Sequence, residues 1–146
     1  MSLLELLLVI ALLALAAATV AASVGGGWDG WRLRSCAREL GTELRLVRAA
    51  AMASGQPQRL LIDPAARVWR SSAGRSGRLP PRLDIRVTGA RQAQPQAQQA
   101  AIVFFPDGAS SGGRVDLGLR GVDWRVDVVW ISGEVRVWRV RGEGRG

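Results

Sequence analysis

An uncharged apolar run near the start of the chain limits what this sequence can fold into. The segment Leu6–Val24 is almost wholly apolar, and no charged residue occurs between Leu6 and Trp28. A bilayer core is about 30 Å thick, which about 20 helical residues span. The run therefore predicts a transmembrane helix. Trp28 and Trp31 follow it directly and fit a membrane-interface anchor.

Two alternatives to a membrane-spanning helix remain open. A cleaved secretory signal would fit the small residues near Ala21 and Ser23. Its apolar core, however, is usually about 7–15 residues long and follows a basic segment, and nothing basic precedes this run. A buried core helix is the second alternative, and it would require a small domain to enclose the whole apolar run. Glu5, just before the run, fits the headgroup layer, since a carboxylate near the end of a span reaches the interface.

The residue types that are missing exclude most catalytic chemistry. The 146 residues include no His, no Lys, no Tyr and a single Cys, and all 20 basic residues are Arg. Without His and Lys there is no imidazole-assisted nucleophile and no phosphate-loop lysine. One Cys makes neither an internal disulfide nor a thiolate zinc cluster. We therefore expect no enzyme, no metal and no cofactor, and we expect Cys36 to be buried or inert.

A second, amphipathic helix is predicted after the glycine run Gly25–Gly27. Glycine weakens a helix, so these residues allow the chain to bend or unwind. Ser54, Gly55 and Pro57 are typical of a helix end. Between the glycine run and Ser54, apolar residues recur at steps of four and three, which places them on one helix face. These residues are Leu33, Ala37, Leu40, Leu44, Val47 and Ala51. This stripe needs a partner, which we expect to be the rest of the chain.

About seven short strands are predicted beyond the helix. Gln58–Asp63 and Arg67–Arg70 form a hairpin around a turn at Asp63–Ala66. The others are Leu83–Thr88, Ala101–Phe105, Arg114–Leu119, Asp123–Ile131 and Glu134–Val140. Trp69, Trp124 and Trp130 are expected in the core. Segments 71–82 and 89–100, rich in Gly, Ser, Pro or Gln, are predicted loops, and either could be disordered.

The predicted fold class is α+β. A long N-terminal helix, half transmembrane and half amphipathic, packs on an antiparallel β domain. We expect a transmembrane helix at residues 1–28, an amphipathic helix at 29–56 and an antiparallel β domain at 57–146.

The beginning of the chain resembles mature type IV pilin-like proteins. In SLLELLLVIALLALAAA, at Ser2–Ala18, Glu5 stands at the fifth position of an apolar helix, as in that class after a prepilin peptidase removes a short basic leader. The segments IVFFPDGASSGGRVDLGL at Ile102–Leu119 and WRVDVVWISGEVRV at Trp124–Val137 resemble the C-terminal half of the H-type (GspH-like) minor pseudopilins of type II secretion. FimT-like minor pilins of type IV pili share much of this domain and are the alternative.

The sequence departs from the pilin pattern at two positions. Met1 stands where these proteins usually have Phe, so Met1 is either the processed N-terminus or an initiator. Ala22 stands where many pilins have Pro, so glycine is expected to supply the helix joint. The positive-inside rule would place Arg32 and Arg34 in the cytoplasm, whereas the resemblance places them in the periplasm. Long domains translocate largely regardless of charge, and we follow the resemblance.

The resemblance implies a structural role. The chain would be a single-pass inner-membrane protein with a periplasmic C-terminal domain, and part of the pseudopilus once assembled. At or near the tip it would help to initiate assembly and the export of folded proteins across the outer membrane. The implied partners are other major and minor pseudopilins, the prepilin peptidase, the inner-membrane secretion platform and membrane lipid. Glu5 would neutralise the N-terminal amine of a neighbouring subunit, with the Met1 amine as the matching group.

The segment that follows Phe104 and Phe105 has two interpretations. It is either a plain turn with both Phe side chains anchored in the core, or a mobile loop that binds other minor pseudopilins. The candidate residues for such a loop are Asp107, Gly108, Ser110, Ser111, Gly112 and Gly113.

The basic surplus also has two interpretations. Residues 29–146 contain 20 Arg and 11 acidic residues, a net charge of +9. The first interpretation is a solvated surface, since alternate residues of a strand point to opposite faces. Under the FimT-like alternative, a basic C-terminal surface would bind DNA phosphates and stack a base. Its candidate residues are Arg136, Trp138, Arg139, Arg141 and Arg145.

Overall fold

One long helix, rather than two, forms the N-terminal part of the protein. The computed structural model describes residues 2–89 and 99–141, and for residues 23–26 it describes the backbone alone. Helix α1 covers Leu3–Ser54, 52 residues. Its backbone stays helical through the glycine run, so the unwinding that glycine would allow does not occur. The chain nevertheless divides into two compact units, Met1–Trp31 and Arg32–Gly146, and the division lies within α1.

The second half of α1 packs on the β-sheets through the predicted stripe. All six residues of the stripe are buried, from Leu33 to Ala51, because their spacing keeps them on one helix face. The helix ends at Ser54, and the next residue, Gly55, has a left-handed φ of 65°. The Gly55 N–H donates to the carbonyl oxygen of Ala51 at 3.1 Å. This is the geometry in which glycine ends helices without steric cost.

Eight strands lie within the described ranges. They are β1 Gln58–Asp63, β2 Val68–Ser71, β3 Ser76–Arg78, β4 Asp84–Gly89, β5 Ala100–Phe104, β6 Gly113–Leu119, β7 Val122–Val128 and β8 Val135–Val140. They form two four-stranded sheets in the orders β3-β2-β1-β5 and β4-β6-β7-β8. Every pairing is antiparallel, which confirms the predicted fold class.

The predicted hairpin is present, and its turn explains its register. Asp63 pairs with Val68 across β1 and β2. The Asp63 Oδ1 atom accepts a hydrogen bond from the Ala66 N–H at 2.8 Å, the short-range bond for which Asp is favoured in turns. This N–H bond, followed by a bond from Gln99, lowers the pKa of the Asp63 carboxyl. Arg67 completes the turn with a φ of 54°.

The loop predicted at segment 71–82 is wrong in part, because β3 forms within it and pairs with β2. A three-residue strand with glycine at its centre shows little strand pattern, but Gly77 lies opposite Trp69 and leaves room for the indole ring. Residues 90–98 of the other predicted loop lie outside the described residues.

The strand predicted at Asp123–Ile131 ends earlier, at Val128. Trp130 and Ile131 lie in the turn before β8 and are 65% and 66% exposed, so the prediction that Trp130 is in the core is wrong. Trp69 is buried as predicted. Trp124 is half-buried and packs against the core.

An ion pair with a buried carboxylate connects the helix with the first sheet. Glu43 is 4% exposed, and its carboxylate accepts two hydrogen bonds from the guanidinium of Arg75, one of them from Nε to Oε2 at 3.0 Å. Arg75 lies between β2 and β3. A buried carboxylate is costly without a partner, so this pair favours one docking position of the helix on the sheet.

Two leucines of α1 test how much the stripe contributes to stability. Leu44 is fully buried, whereas Leu46 is 43% exposed on the same helix. We expect Leu44→Ala to lower the free energy of unfolding by about 2–5 kcal/mol, because it removes core contacts and leaves a cavity. The matched variant Leu46→Ala should cost less than about 1 kcal/mol. Denaturant unfolding of the full chain in detergent measures both, and equal losses would contradict the docking of α1 described here.

Candidate functional site

The first half of α1 presents an exposed apolar surface. Every side chain from Ser2 to Ala22 is exposed, and the helix is long and apolar enough to cross a membrane. Apolar surface in water costs about 25 cal/mol per Å². This surface therefore requires lipid or other apolar helices. Its large side chains are Leu3, Leu4, Leu6, Leu7, Leu8, Val9, Ile10, Leu12, Leu13, Leu15 and Val20.

Glu5 lies in the first turn of α1. Its N–H donates to the Ser2 carbonyl oxygen at 3.1 Å and lies 3.3 Å from the Ser2 hydroxyl oxygen. Ser2 thus caps the helix, and Ser followed three residues later by Glu is a capping signal visible in the sequence. An acidic side chain is also favourable at a helix N-terminus. The Glu5 side chain is exposed, and Met1 lies outside the described residues.

The segment between β5 and β6 is held by hydrogen bonds. The Ser110 Oγ donates to the Val103 carbonyl oxygen at 2.9 Å, and the Ser111 Oγ accepts from the Val103 N–H at 3.0 Å. The Asp107 Oδ1 accepts from the Ala109 N–H at 3.0 Å. Gly108 and Ser110 are buried, and Gly112 and Gly113 are half-buried. Of the six candidates, Asp107 and Ser111 are therefore the ones most accessible to a partner.

The two Phe side chains before this loop have different surroundings. Phe104 is fully buried, whereas Phe105 is exposed. The turn interpretation is therefore correct for the Phe104 anchor and wrong for Phe105.

Arg48 on α1 joins two loops of the β domain. Its Nε donates to the Gly108 carbonyl oxygen at 3.0 Å, and a terminal nitrogen donates to the Ser132 carbonyl oxygen at 3.0 Å. The loops also touch each other, because the Ser110 N–H donates to the Trp130 carbonyl oxygen at 2.9 Å. The sequence did not predict this role of Arg48, since no local pattern shows which carbonyl groups lie within reach.

The outer face of the second sheet alternates in charge from strand to strand. By register it holds four Arg and four Asp residues, namely Arg86, Arg114, Arg125, Arg136, Asp84, Asp116, Asp123 and Asp127. Arg125 Nε lies 2.6 Å from Asp116 Oδ1, and Arg114 Nε lies 3.4 Å from Asp127 Oδ1. Opposite charges across neighbouring strands stabilise a sheet. This face is therefore neutral overall and not a basic patch.

The five residues of the nucleic-acid alternative do not form one surface. Arg136 and Trp138 lie on the outer face, and Arg136 pairs with Glu134 at 2.7 Å. The hydrogen bond from Arg136 lowers the pKa of the Glu134 carboxyl. Arg139 lies on the opposite face, in register with Trp124. Arg141 is exposed just after β8, and Arg145 lies outside the described residues.

Two other predicted features fit the structure. Trp28 and Trp31 are exposed, so both indole rings are available for a membrane interface, and that role stays a prediction. Cys36 is a free, buried thiol. Burial, with a smaller contribution from the negative charge of Glu39, raises the pKa of Cys36 to about 12.

A long N-terminal helix whose second half packs on antiparallel sheets defines a pilin-like fold. The minor pseudopilin EpsH of the Vibrio cholerae type II secretion system matches with a TM-score of 0.55 and 17% identity, over 70% of this chain and 93% of that one. The type IV minor pilin FimU of Pseudomonas aeruginosa matches with a TM-score of 0.57 and 11% identity, over 75% of this chain and 90% of that one. At these identities the likeness concerns the fold.

The sequence comparisons identify the family. A family model described as type II transport protein GspH matches residues 37–133. The chain is 56% identical over 135 residues to the type II secretion system protein H of Xanthomonas campestris pv. campestris, covering 92% of this chain and 80% of the relative. The chain belongs to the GspH family of type II transport proteins.

Removing the Arg48 side-chain bonds should loosen both loops that they join. We expect Arg48→Gln to increase backbone hydrogen exchange in residues 105–112 and 129–134, and to lower the free energy of unfolding by about 1–3 kcal/mol. Arg34→Gln is the matched control, because Arg34 is exposed on the same helix. Unchanged exchange in both loops of Arg48→Gln would show that Arg48 does not hold them.

The pKa of Cys36 predicts slow chemical modification. The thiolate is the reactive form, and with a pKa of about 12 only roughly one thiol in 10⁴ is ionised at pH 8. Because the folded pKa is raised, reactivity should increase with pH well beyond the range of an ordinary thiol. Iodoacetamide labelling followed by mass spectrometry measures this in folded and denatured protein. Equal labelling rates in the two states would contradict the burial of Cys36.

Proposed function

We propose that this chain is a minor pseudopilin of a type II secretion system. In this role it is a structural subunit at or near the pseudopilus tip and helps to initiate assembly and the export of folded proteins across the outer membrane. The observation that supports this most strongly is the 56% identity, over nearly the whole chain, to a type II secretion system protein H. The role is structural and not enzymatic, in keeping with this family.

The exposed apolar half of α1 supports two successive environments for the subunit. Before assembly the helix spans the inner membrane once, and the β domain lies in the periplasm. On assembly the same side chains pack against the helices of other major and minor pseudopilins. The membrane lipid and the neighbouring helices are thus alternative environments for one surface, and the inner-membrane platform moves the subunit from the first to the second.

Glu5 supplies the specific contact in this exchange. A carboxylate and an amine attract strongly in a low-dielectric environment, and each is costly alone. Glu5 of one subunit pairs with the N-terminal amine of its neighbour, Met1 being the matching residue if a prepilin peptidase leaves it at the N-terminus. The pair sets the register between subunits, and the exposure of the Glu5 side chain is compatible with a partner outside the chain.

The loop between β5 and β6 is a second contact surface. Its exposed residues, Asp107 and Ser111, are available to other minor pseudopilins, while buried Gly108 and Ser110 hold the loop in shape. DNA uptake by a FimT-like minor pilin is less well supported. The outer face near the C-terminus is balanced in charge, and phosphate binding requires a basic surplus.

A strain that lacks this gene separates the two functions. We expect export of folded enzymes to fail while natural transformation stays normal, because the subunit serves secretion. A complementing copy with Glu5→Leu should anchor normally and restore little export, since it cannot pair with the N-terminal amine. Export is scored as enzyme activity in the medium and uptake as transformants per cell.

Glu39→Leu is the matched control for that complementing copy. Glu39 is an exposed carboxylate on the second half of the same helix, and its replacement should leave export intact. Loss of transformation with normal export would overturn the secretion role. Full export with Glu5→Leu would overturn only the assembly role of Glu5 and would leave the secretion role standing.

A further inference from the structure

A basic groove lies between helix α1 and the edge strand β8. It encloses about 470 Å³ and is lined by Arg38, Thr42, Arg45, Trp124, Val137, Trp138 and Arg139. The three helix residues are spaced by four and three, so they lie on one helix face. The lining includes three arginines and, among the described residues, no carboxylate.

The arginines of the groove have no carboxylate partners among the described residues, unlike the arginines of the outer sheet face, which Asp residues balance. Along β8 the inward residues Val135 and Val137 pack toward the core, and Arg139 continues the same face beyond them. Arg38 and Arg139 have no ion pair or side-chain hydrogen bond within the described part of the chain, and Arg45 donates only to the Val135 carbonyl oxygen, at 3.1 Å. Their positive charge is therefore available to a ligand.

The groove also exposes the backbone of β8. This strand is the last in its sheet, and alternate residues of an edge strand direct their N–H and C=O groups outward. The Val135 carbonyl oxygen points outward to Arg45, so Val137 and Arg139, at steps of two, direct their backbone groups to the same side. A second extended chain could hydrogen-bond there.

We propose that this groove binds an extended, acidic segment of a partner protein, added as a strand to the edge of β8. Alternate side chains of an added strand face one side, so carboxylates at every second position would meet Arg38, Arg45 and Arg139. Trp124 supplies a rigid aromatic surface of the kind that protein interfaces favour. The inference rests on the proposed function in one respect, which is that it takes the partner to be another protein of the secretion machinery.

The surroundings favour a peptide over a nucleic acid. A phosphate backbone would need a basic track leading away from the groove, but the adjacent outer face holds as many Asp as Arg residues. A nucleic acid also has no peptide groups to pair with the edge of β8, whereas strand addition uses that edge directly.

The test is a binding measurement on the full chain in detergent. The probe is a short fluorescent peptide in which Glu and Val alternate, followed by anisotropy. Three matched probes accompany it: the same peptide with Gln for Glu, the same peptide N-methylated at alternate residues, and an oligothymidylate of equal length. We expect binding of the first peptide, weaker binding at high salt, and at least about tenfold weaker binding of all three matched probes.

Two substitutions locate the binding to the groove. Arg38→Gln and Arg139→Gln should each weaken binding several-fold, and the double variant at least about tenfold. Arg82→Gln, an exposed arginine elsewhere in the β domain, should leave binding unchanged. Circular dichroism of each variant checks that the fold is retained.

Several results would overturn the inference. These are equal binding of the Gln peptide or the N-methylated peptide, tighter binding of the oligonucleotide, or an equal loss in Arg82→Gln. Failure here is distinguishable from failure of the proposed function, because export by the complemented strain is scored separately. Normal export together with no peptide binding removes the groove proposal and leaves the secretion role.

Discussion

The structure depends on one helix whose two halves face different environments. Within the second half, a stripe from Leu33 to Ala51 is buried against the sheets. Within the first half, every described side chain up to Ala22 is exposed. The hydrophobic effect stabilises the packing of the second half within the chain. For the first half, it favours burial against lipid or another molecule. Anchoring and assembly both follow from this incomplete burial.

The β domain keeps the second half of the helix in place by several different interactions. The pair between buried Glu43 and exposed Arg75 joins the helix with the first sheet, and Arg48 joins the helix with two loops beside the second sheet. Gly41 allows the side chain of Val137 to approach the helix backbone closely. These contacts occur at separate points along about two turns of helix. A domain held in this way can present fixed loops and a fixed edge strand to its neighbours in a filament.

The sequence predicted those parts of the structure that depend on local periodicity. The stripe on α1 and the first hairpin were predictable, because spacing and turn residues determine them directly. The strand β3, the turn position of Trp130 and the buried state of Glu43 were not. Each depends on a partner distant in sequence: Trp69 for Gly77, Arg48 and Gly108 for the turn before β8, and Arg75 for Glu43. The Ser2 cap was visible in the sequence as a spacing of three to Glu5.

Of the candidate binding surfaces, too, one could be predicted from the sequence and one could not. Glu5 was identified by its offset in an apolar run, whereas the basic groove was not, because Arg38 and Arg139 are a hundred residues apart and meet only in the fold. Periodicity did indicate that alternate arginines near the C-terminus would separate. The structure shows the consequence, since Arg136 is paired on one face and Arg139 lies in the groove on the other.

The most direct test concerns the exposed apolar surface of α1. A photo-reactive amino acid at Ile10, which lies in that surface, would report what covers it in secreting cells, with Leu46 on the second half as the comparison position. A structural subunit of the pseudopilus should give adducts at Ile10 with another pseudopilin when the system is assembled, and with lipid alone when it is not. Lipid adducts alone in an assembled system would contradict a filament role for this helix.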